Sequence, residues 1–118
     1  MGQPVAYFEI NSPDHKRAQD FYAQMFDWNV TAVPEMGGYS LVDTGAGEDA
    51  IGGGIGPSDS PADAGVKIYM RVDDLSAYLE RAERLGGKTV MSPITLPGDA
   101  GQIAIFTDPD GNAVGLWS

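Results

Sequence analysis

The chain contains no cysteine, a single histidine and no long hydrophobic run. The lack of cysteine excludes disulfides and thiolate metal sites, and with one histidine a Ser-His-Asp triad is not expected. No apolar stretch approaches the roughly 18 residues typical of a membrane span, and the N-terminus does not carry the basic and apolar regions of a secretory signal. These absences predict a cytoplasmic protein with no membrane partner.

Basic residues are also scarce. Seven lysines and arginines stand against seventeen aspartates and glutamates, which gives a formal net charge of −10. Such a field repels the phosphates of nucleic acids, so no nucleic-acid partner is expected. It favours cationic ligands, although the same carboxylates would also serve simply to keep a small protein soluble. The 118 residues, 42% of them apolar, indicate one globular domain with its own core.

The chain contains one pattern twice. Residues 5–10 alternate as a strand does, and a helix follows to Phe26, with Ser12 predicted as its cap and Pro13 in its first turn. The pattern returns at residues 66–72, where Asp73 or Asp74 is predicted to cap a helix that runs to residue 85. Apolar residues of the first helix are expected to pack on the strand: Ala18, Phe21, Tyr22, Met25 and Phe26. Three short strands are predicted after each helix, near 29–33, 39–43 and 51–55, and near 88–91, 102–107 and 113–117.

Two strand–helix–three-strand modules predict an α+β fold with eight strands and two helices on one side of the sheet. We expect a single domain over residues 1–118, with module one at about 4–56, a linker at about 57–65 and module two at about 66–118. One such module cannot bury both faces of its sheet. Two copies are therefore expected to combine around a concave surface, where a functional site would lie.

Several segments of both modules, taken together with the C-terminal turn, carry a family resemblance. They are Phe8-Glu9-Ile10, Arg17-Ala18, Phe21-Tyr22, Phe26-Asp27-Trp28, Val72-Asp73-Asp74, Gly86-Gly87, Asp108-Pro109-Asp110-Gly111-Asn112 and Gly115-Leu116-Trp117. In this combination the chain resembles the vicinal oxygen chelate superfamily, which includes glyoxalases, extradiol dioxygenases and bleomycin-resistance proteins. The resemblance implies two tandem βαβββ modules, a cupped mixed β-sheet with helices on its outer face, and a homodimer. Gly38-Tyr39 and Gly52-Gly53-Gly54 are most similar to the glyoxalase-like members.

Enzymes of this superfamily hold a divalent metal with His, Gln or Glu side chains from both modules, and the metal acts as a Lewis acid on the substrate. The matching positions are Tyr7 (or Val5 under a shifted alignment), Lys67 and Gly115. None of these is a good ligand, and a protonated lysine repels a cation. We therefore expect neither the metal nor another cofactor.

The remaining polar and aromatic side chains that alternation places on one strand face form the candidate site. Glu9 is the candidate catalytic residue, as a general base or as a contact for a cation. Lys67 or Arg71 would hold an anionic substrate group, or would simply pair with Glu9 across the modules. The histidine, His15, is expected to be solvated and away from this site. The candidate ligand-binding residues are Tyr7, Glu9, Tyr39, Lys67, Tyr69, Arg71 and Trp117.

Three hypotheses of function follow. The first is a metal-independent protein of the glyoxalase and bleomycin-resistance group that binds a small organic molecule in the cup. The second is an enzyme of the same superfamily, a lyase, isomerase or dioxygenase, that uses Glu9 or an unrecognised metal site. The third is an accessory interaction subunit that binds no ligand.

Overall fold

The computed structural model describes residues 2–59 and 64–118. The strand–helix–three-strand order occurs twice, which confirms the α+β class and its two βαβββ modules. The first five elements are β1 (Val5–Ser12), α1 (His15–Phe26), β2 (Asn29–Ala32), β3 (Ser40–Asp43) and β4 (Gly52–Pro57). The second five are β5 (Gly65–Arg71), α2 (Leu75–Arg84), β6 (Lys88–Thr95), β7 (Gln102–Thr107) and β8 (Ala113–Trp117). A 3-10 turn at Pro34–Met36 precedes β3, and residues 60–63 of the predicted linker lie outside the described residues.

The chain divides into two compact units, Tyr7–Val66 and Lys67–Ser118 together with residues 2–6. In the first unit the strand order is β2-β3-β4-β1, with β1 and β4 parallel and the other pairs antiparallel. Ile10, Val42 and Ile55 form its buried core, against which Phe8 and Tyr22 pack. Strand alternation explains this core, because Phe8 and Ile10 share the face of β1 that α1 covers.

The predicted apolar stripe of α1 is only partly correct. Ala18 and Tyr22 pack on the core, but Phe21, Met25 and Phe26 are exposed. Trp28, just beyond the helix, takes the inner position: its ring stacks on that of Tyr22 at 5.8 Å. Phe26 is therefore left to pack on the outer side of Trp28, with the ring centroids 5.1 Å apart.

The two helices begin at aspartate caps. The predicted Ser12 cap is wrong, because β1 continues through Ser12 and Asp14 caps α1, accepting a hydrogen bond from the Arg17 N–H at 3.2 Å. The Ser12 hydroxyl instead accepts from the N–H of Asp14. The prediction for α2 is confirmed at Asp74, whose carboxylate accepts from the Ala77 N–H at 3.1 Å.

The second unit repeats the layout with the strand order β5-β8-β7-β6, in which β5 and β8 are parallel. Val72, Leu75, Leu79, Ala104 and Leu116 form its core under α2. Residues 67, 69 and 71 of β5 alternate with Met70 and Val72, so their side chains point to the face opposite α2.

Candidate functional site

An open groove of about 390 Å³ lies on the sheet of the Tyr7–Val66 unit. Register explains its lining, since Tyr7 pairs with Gly52 and Asn29 with Asp43. The side chains of Tyr7, Asn29 and Asp43 point away from the other face of the sheet, where Phe8 and Ile10 pack under α1. Gly52 has no side chain, so the groove floor is bare backbone at that point. The residues that contribute side chains to this groove include Tyr7, Asn29, Thr31, Leu41 and Asp43.

Three of the sequence-predicted site residues meet beside this groove. The hydroxyl of Tyr39 donates to Oε2 of Glu9 at 3.1 Å, and the hydroxyls of Tyr7 and Tyr39 lie 2.6 Å apart. A phenol carries one hydrogen. Because that of Tyr39 goes to Glu9, Tyr7 is the donor in the second bond. The result is a directed chain, Tyr7 to Tyr39 to Glu9, in which Tyr7 also lines the groove.

Glycines on β4 make room for this chain. A Cβ on Gly54 would collide with the hydroxyls of Tyr39 and Tyr7, and a Cβ on Gly56 would meet the Tyr39 ring at 2.5 Å. On the other face of the strand, a Cβ on Gly53 would collide with the ring of Phe8. Aromatic side chains therefore pack closely against β4 on both of its faces.

Both phenols hold their protons strongly. Burial raises the pKa of Tyr39 well above its ordinary value, and the negative charge of Glu9 raises it further. Burial likewise raises the pKa of Tyr7, partly offset by its hydrogen bond to Tyr39. At neutral pH neither ring is therefore a phenolate.

The loop that carries Tyr39 is held by α1, which sequence reasoning missed. The Gln19 side-chain amide donates to the carbonyl oxygens of Gly38 at 3.0 Å and Ile55 at 2.8 Å. The imidazole of His15 is half-buried and occupies the space that a Cβ on Gly38 would take. The expectation of a solvated His15 is therefore only partly correct, because one side of its ring lies against Gly38. Gly38 has φ +89°, a conformation suited to glycine, which turns the chain into Tyr39.

The other candidate residues lie in the second unit. The guanidinium of Arg71 sits 4.3 Å from the ring centroid of Trp117, a cation–π contact. Trp117 also donates its indole N–H to the carbonyl of Ala100 at 2.8 Å. Tyr69 is buried, and Lys67 is half-buried two residues before it on β5. Arg71 and Trp117 thus contact one another, whereas Tyr69 is a residue of the packed interior.

The residues at the superfamily's metal positions do not fit a divalent ion. Gly115 offers no donor, and the space its side chain would need is filled by the ring of Tyr69. The hydroxyl of Tyr7 is hydrogen-bonded to a second phenol, and Lys67 brings a positive charge. Among residues 2–59 and 64–118, no group of three or more His, Cys, Asp or Glu side chains could hold a metal. The donor set therefore differs from the one that the resemblance implies.

A second cavity, of about 290 Å³, lies in the other unit between α2 and the strands. Met70, Phe106 and Leu116 line its apolar interior, and Leu85 and Arg81 lie at the helix side. The guanidinium of Arg81 lies over the Tyr78 ring at 4.8 Å. No sequence-predicted site residue lines this cavity, so the groove with its hydrogen-bond chain is the better candidate site.

Two successive βαβββ modules, the first with a groove on its sheet, define a class of small α+β proteins. Within that class, the chain belongs to the Glyoxalase/Bleomycin resistance protein/Dioxygenase superfamily, whose model matches residues 5–116. In the part of the chain that the structure describes, no helix is long and apolar enough to cross a membrane.

Individual relatives agree with this family. The chain is 32% identical to the anthracycline biosynthesis protein DnrV of Streptomyces peucetius, over 95% of this chain and 46% of that protein. It is 30% identical to a glyoxylase-like domain-containing protein of Didymella fabae, over 92% and 88% of the two chains. The chain spans about half the length of the first of these relatives. The methylmalonyl-CoA epimerase of Mycobacterium tuberculosis has the same fold, with a TM-score of 0.64 at 17% identity over 96% of this chain and 85% of that one.

Proposed function

We propose that this chain is a small-molecule-binding module whose ligand lies in the groove on β1–β4 and contacts Tyr7, without a metal ion. The observation that carries the proposal is the hydrogen-bond chain from Tyr7 to Glu9 at the groove wall. A side-chain-free floor at Gly52 and an apolar wall at Leu41 give an organic ring system a surface to lie on. Similarity to a protein of anthracycline biosynthesis supports a ligand of this kind.

The groove is tested by screening the purified protein with aromatic metabolites and antibiotics, with and without EDTA. A ligand that binds the native state raises the melting temperature with dose. Leu41→Trp, at the groove wall, should abolish this shift by filling the groove. Leu85→Trp, at the second cavity, should retain it. Loss of the shift in Leu85→Trp alone would assign the ligand to the other cavity, and loss with EDTA would reject the metal-free mode.

An enzyme is the second candidate, because the same hydrogen-bond chain can move a proton. The Tyr7 oxygen would take a proton from the ligand while its own hydrogen passes to Tyr39 and that of Tyr39 passes to Glu9. Both phenols would end neutral, and the carboxyl group would hold the proton. This relay suits an isomerase or lyase, and it uses the candidate role of Glu9.

Glu9→Gln separates the two candidates. Glutamine still accepts the hydrogen bond of Tyr39 through its amide oxygen, but it cannot take up the proton at neutral pH. A binding protein should keep its ligand affinity within about threefold. An enzyme should keep affinity and lose turnover by a factor on the order of 100 or more.

A further inference from the structure

We infer that the cavity between α2 and the strands of the second unit is a binding site for a flat, uncharged aromatic molecule. This molecule takes the place that stacked aromatic rings occupy in the first unit. The site is separate from the groove of the proposed function, so either of the two can fail without the other.

Three aromatic rings fill the space under the end of α1. Trp28 stacks on Tyr22, with the ring centroids 5.8 Å apart and the planes at 13°, and it lies 5.3 Å from Phe8. All three rings pack against the buried core of the first unit. Flat, stacked rings therefore complete the packing of this helix on its strands.

The second module has small residues at two of the corresponding positions. Tyr22 corresponds to Ala82, because both lie at the same distance along the chain from the aspartate that caps their helix. Trp28 corresponds to Gly87, because each immediately precedes the first strand after its helix. A methyl group and a hydrogen thus stand where the first module has a phenol and an indole.

The cavity lies at these positions. Ala82 and Gly87 both line it. Met70 lines it too and matches Phe8, since each lies two residues before a core residue on the strand face under its helix. The volume of about 290 Å³ is close to the lower end for small-molecule sites, roughly 300–1,000 Å³. Because protein interiors are otherwise close-packed, a gap of this size and position suits an occupant shaped like the absent rings.

The chain cannot fill the gap from position 87. A Cβ on Gly87 would collide with the carbonyl oxygen of Thr107 at 2.5 Å and would lie 3.2 Å from that of Ala82. No side chain can therefore enter the cavity from the place that Trp28 holds in the first module. Leu85, which also lines the cavity, is 72% exposed, and a bound molecule would cover part of this apolar surface.

The lining favours an uncharged aromatic molecule. Phe106, Leu116 and Met70 line the interior, and a ring and a thioether both make favourable contacts with another aromatic ring. An ionised group buried among these side chains would lose its hydration. Arg81 and Asp108, one charge of each sign, also line the cavity, so their charges together favour neither an anion nor a cation.

The site is tested with 2-naphthylmethanol and protein whose methionine methyl groups carry carbon-13. The methyl signal of Met70 should shift on titration, because the naphthalene ring lies beside it. Met25, which is exposed on α1, should not respond. Within the described part of the chain no methionine lines the groove, so binding there would leave Met70 unchanged. Absence of a Met70 shift at millimolar concentration would overturn the inference.

Three comparison probes test the class of ligand: the saturated decahydro analogue of 2-naphthylmethanol, 2-naphthylmethylammonium and 2-naphthylacetate. The Met70 titration should give an affinity for 2-naphthylmethanol about tenfold above that for each of them. The saturated analogue is not flat, and the two ions lose hydration on entry. Equal affinity for the saturated analogue would overturn the requirement for a flat ring. Equal affinity for either ion would overturn the requirement for an uncharged molecule.

Ala82→Tyr returns to the second module the ring that Tyr22 supplies in the first. It should fill the cavity and weaken the binding of 2-naphthylmethanol at Met70 at least tenfold. Ala77→Tyr, the same change at an exposed position of α2, should leave the binding unchanged. Unchanged binding in Ala82→Tyr would overturn the inference. If that variant does not fold, Leu85→Trp carries the same expectation, because an indole at this position covers the cavity.

Discussion

Gly54 is the residue on which the candidate site depends most closely. It pairs with both Glu9 and Leu41 in the strand registers, so it lies between the carboxylate and the groove wall. The hydroxyls of Tyr39 and Tyr7 occupy the place where a side chain on residue 54 would begin. The space is thus created by a missing methyl group, and the hydrogen-bond chain fills it.

Gly54→Ala should therefore destabilise the protein and disrupt the chain of hydrogen bonds. We expect a loss of about 1–3 kcal/mol in the free energy of unfolding, because overpacking forces the phenols from their positions. The measurement is urea denaturation. Gly52→Ala, on the same strand and face, is the control: its Cβ meets only one backbone oxygen, at 3.3 Å. An equal cost for the two variants would contradict the role given to Gly54.

The two phenols also predict a response to alkaline pH. The native protein holds the proton of Tyr39 above pH 10.0, the ordinary pKa of the group, while the unfolded chain releases it there. Raising the pH then favours unfolding, so this stability is complete below pH 10 and is lost above it. The free energy of unfolding should fall by up to about 1.4 kcal/mol per pH unit for this residue.

The control for that response is Tyr39→Phe. Unfolding measured from pH 8 to pH 11 should show a shallower alkaline decline in the variant than in the unsubstituted protein, because one of the retained protons is gone. Parallel curves would mean that Tyr39 ionises as easily in the native protein as in the unfolded chain.

At the residue scale, sequence reasoning predicted part of the site. Period-two alternation placed Tyr7 and Glu9 on one face, and the structure brings Tyr39 to both of them. The groove residues Asn29, Thr31 and Asp43 were missed, although the same alternation along β2 and β3 carries the signal. The contact of His15 with Gly38 could not be predicted, because it depends on the path of a loop rather than on a periodic pattern.

At the scale of elements, helix α1 acts as the support for the loop that carries Tyr39. The helix begins at the Asp14 cap, two residues after the predicted cap Ser12, because β1 continues through Ser12. Helix and strand types were predicted correctly because their apolar periods differ. Their ends were less accurate: β4 covers Gly52–Pro57 against a prediction of 51–55, since glycines give no side-chain period by which to place an end.

Gln19→Leu tests this support. The change removes the two hydrogen bonds that tie α1 to the carbonyls of Gly38 and Ile55, and it leaves the Ile55 acceptor, on a buried strand residue, without its side-chain partner. We expect a loss of about 1–3 kcal/mol in unfolding free energy. Amide hydrogen exchange should become faster in residues 37–40. Gln24→Leu, at an exposed position of the same helix, should change neither quantity, and similar effects of the two variants would contradict the role of Gln19.

At the scale of the whole molecule, charge links stability and ligand choice. The chain has seventeen acidic and seven basic side chains. The acidic side chains in excess repel one another in the folded state. The same excess of negative charge favours a cationic ligand over an anionic one. Both effects act through solvent and weaken with salt, because the screening length falls from about 30 Å at 0.01 M to about 3 Å at 1 M. Added salt should therefore raise the stability of the folded protein and lower its affinity for a cation.

Raising NaCl from about 0.02 M to about 0.5 M should raise the melting temperature of the free protein by several degrees, since it relieves the repulsion. Over the same range the affinity for 2-naphthylmethylammonium should fall several-fold, since the attraction is screened. The anion 2-naphthylacetate, which has the same rings, should gain affinity instead, because its repulsion is screened. A melting temperature that falls with salt would contradict the dominance of like-charge repulsion. Salt-independent binding of the cation would mean that contacts within the binding site, rather than the field of the whole chain, select the ligand.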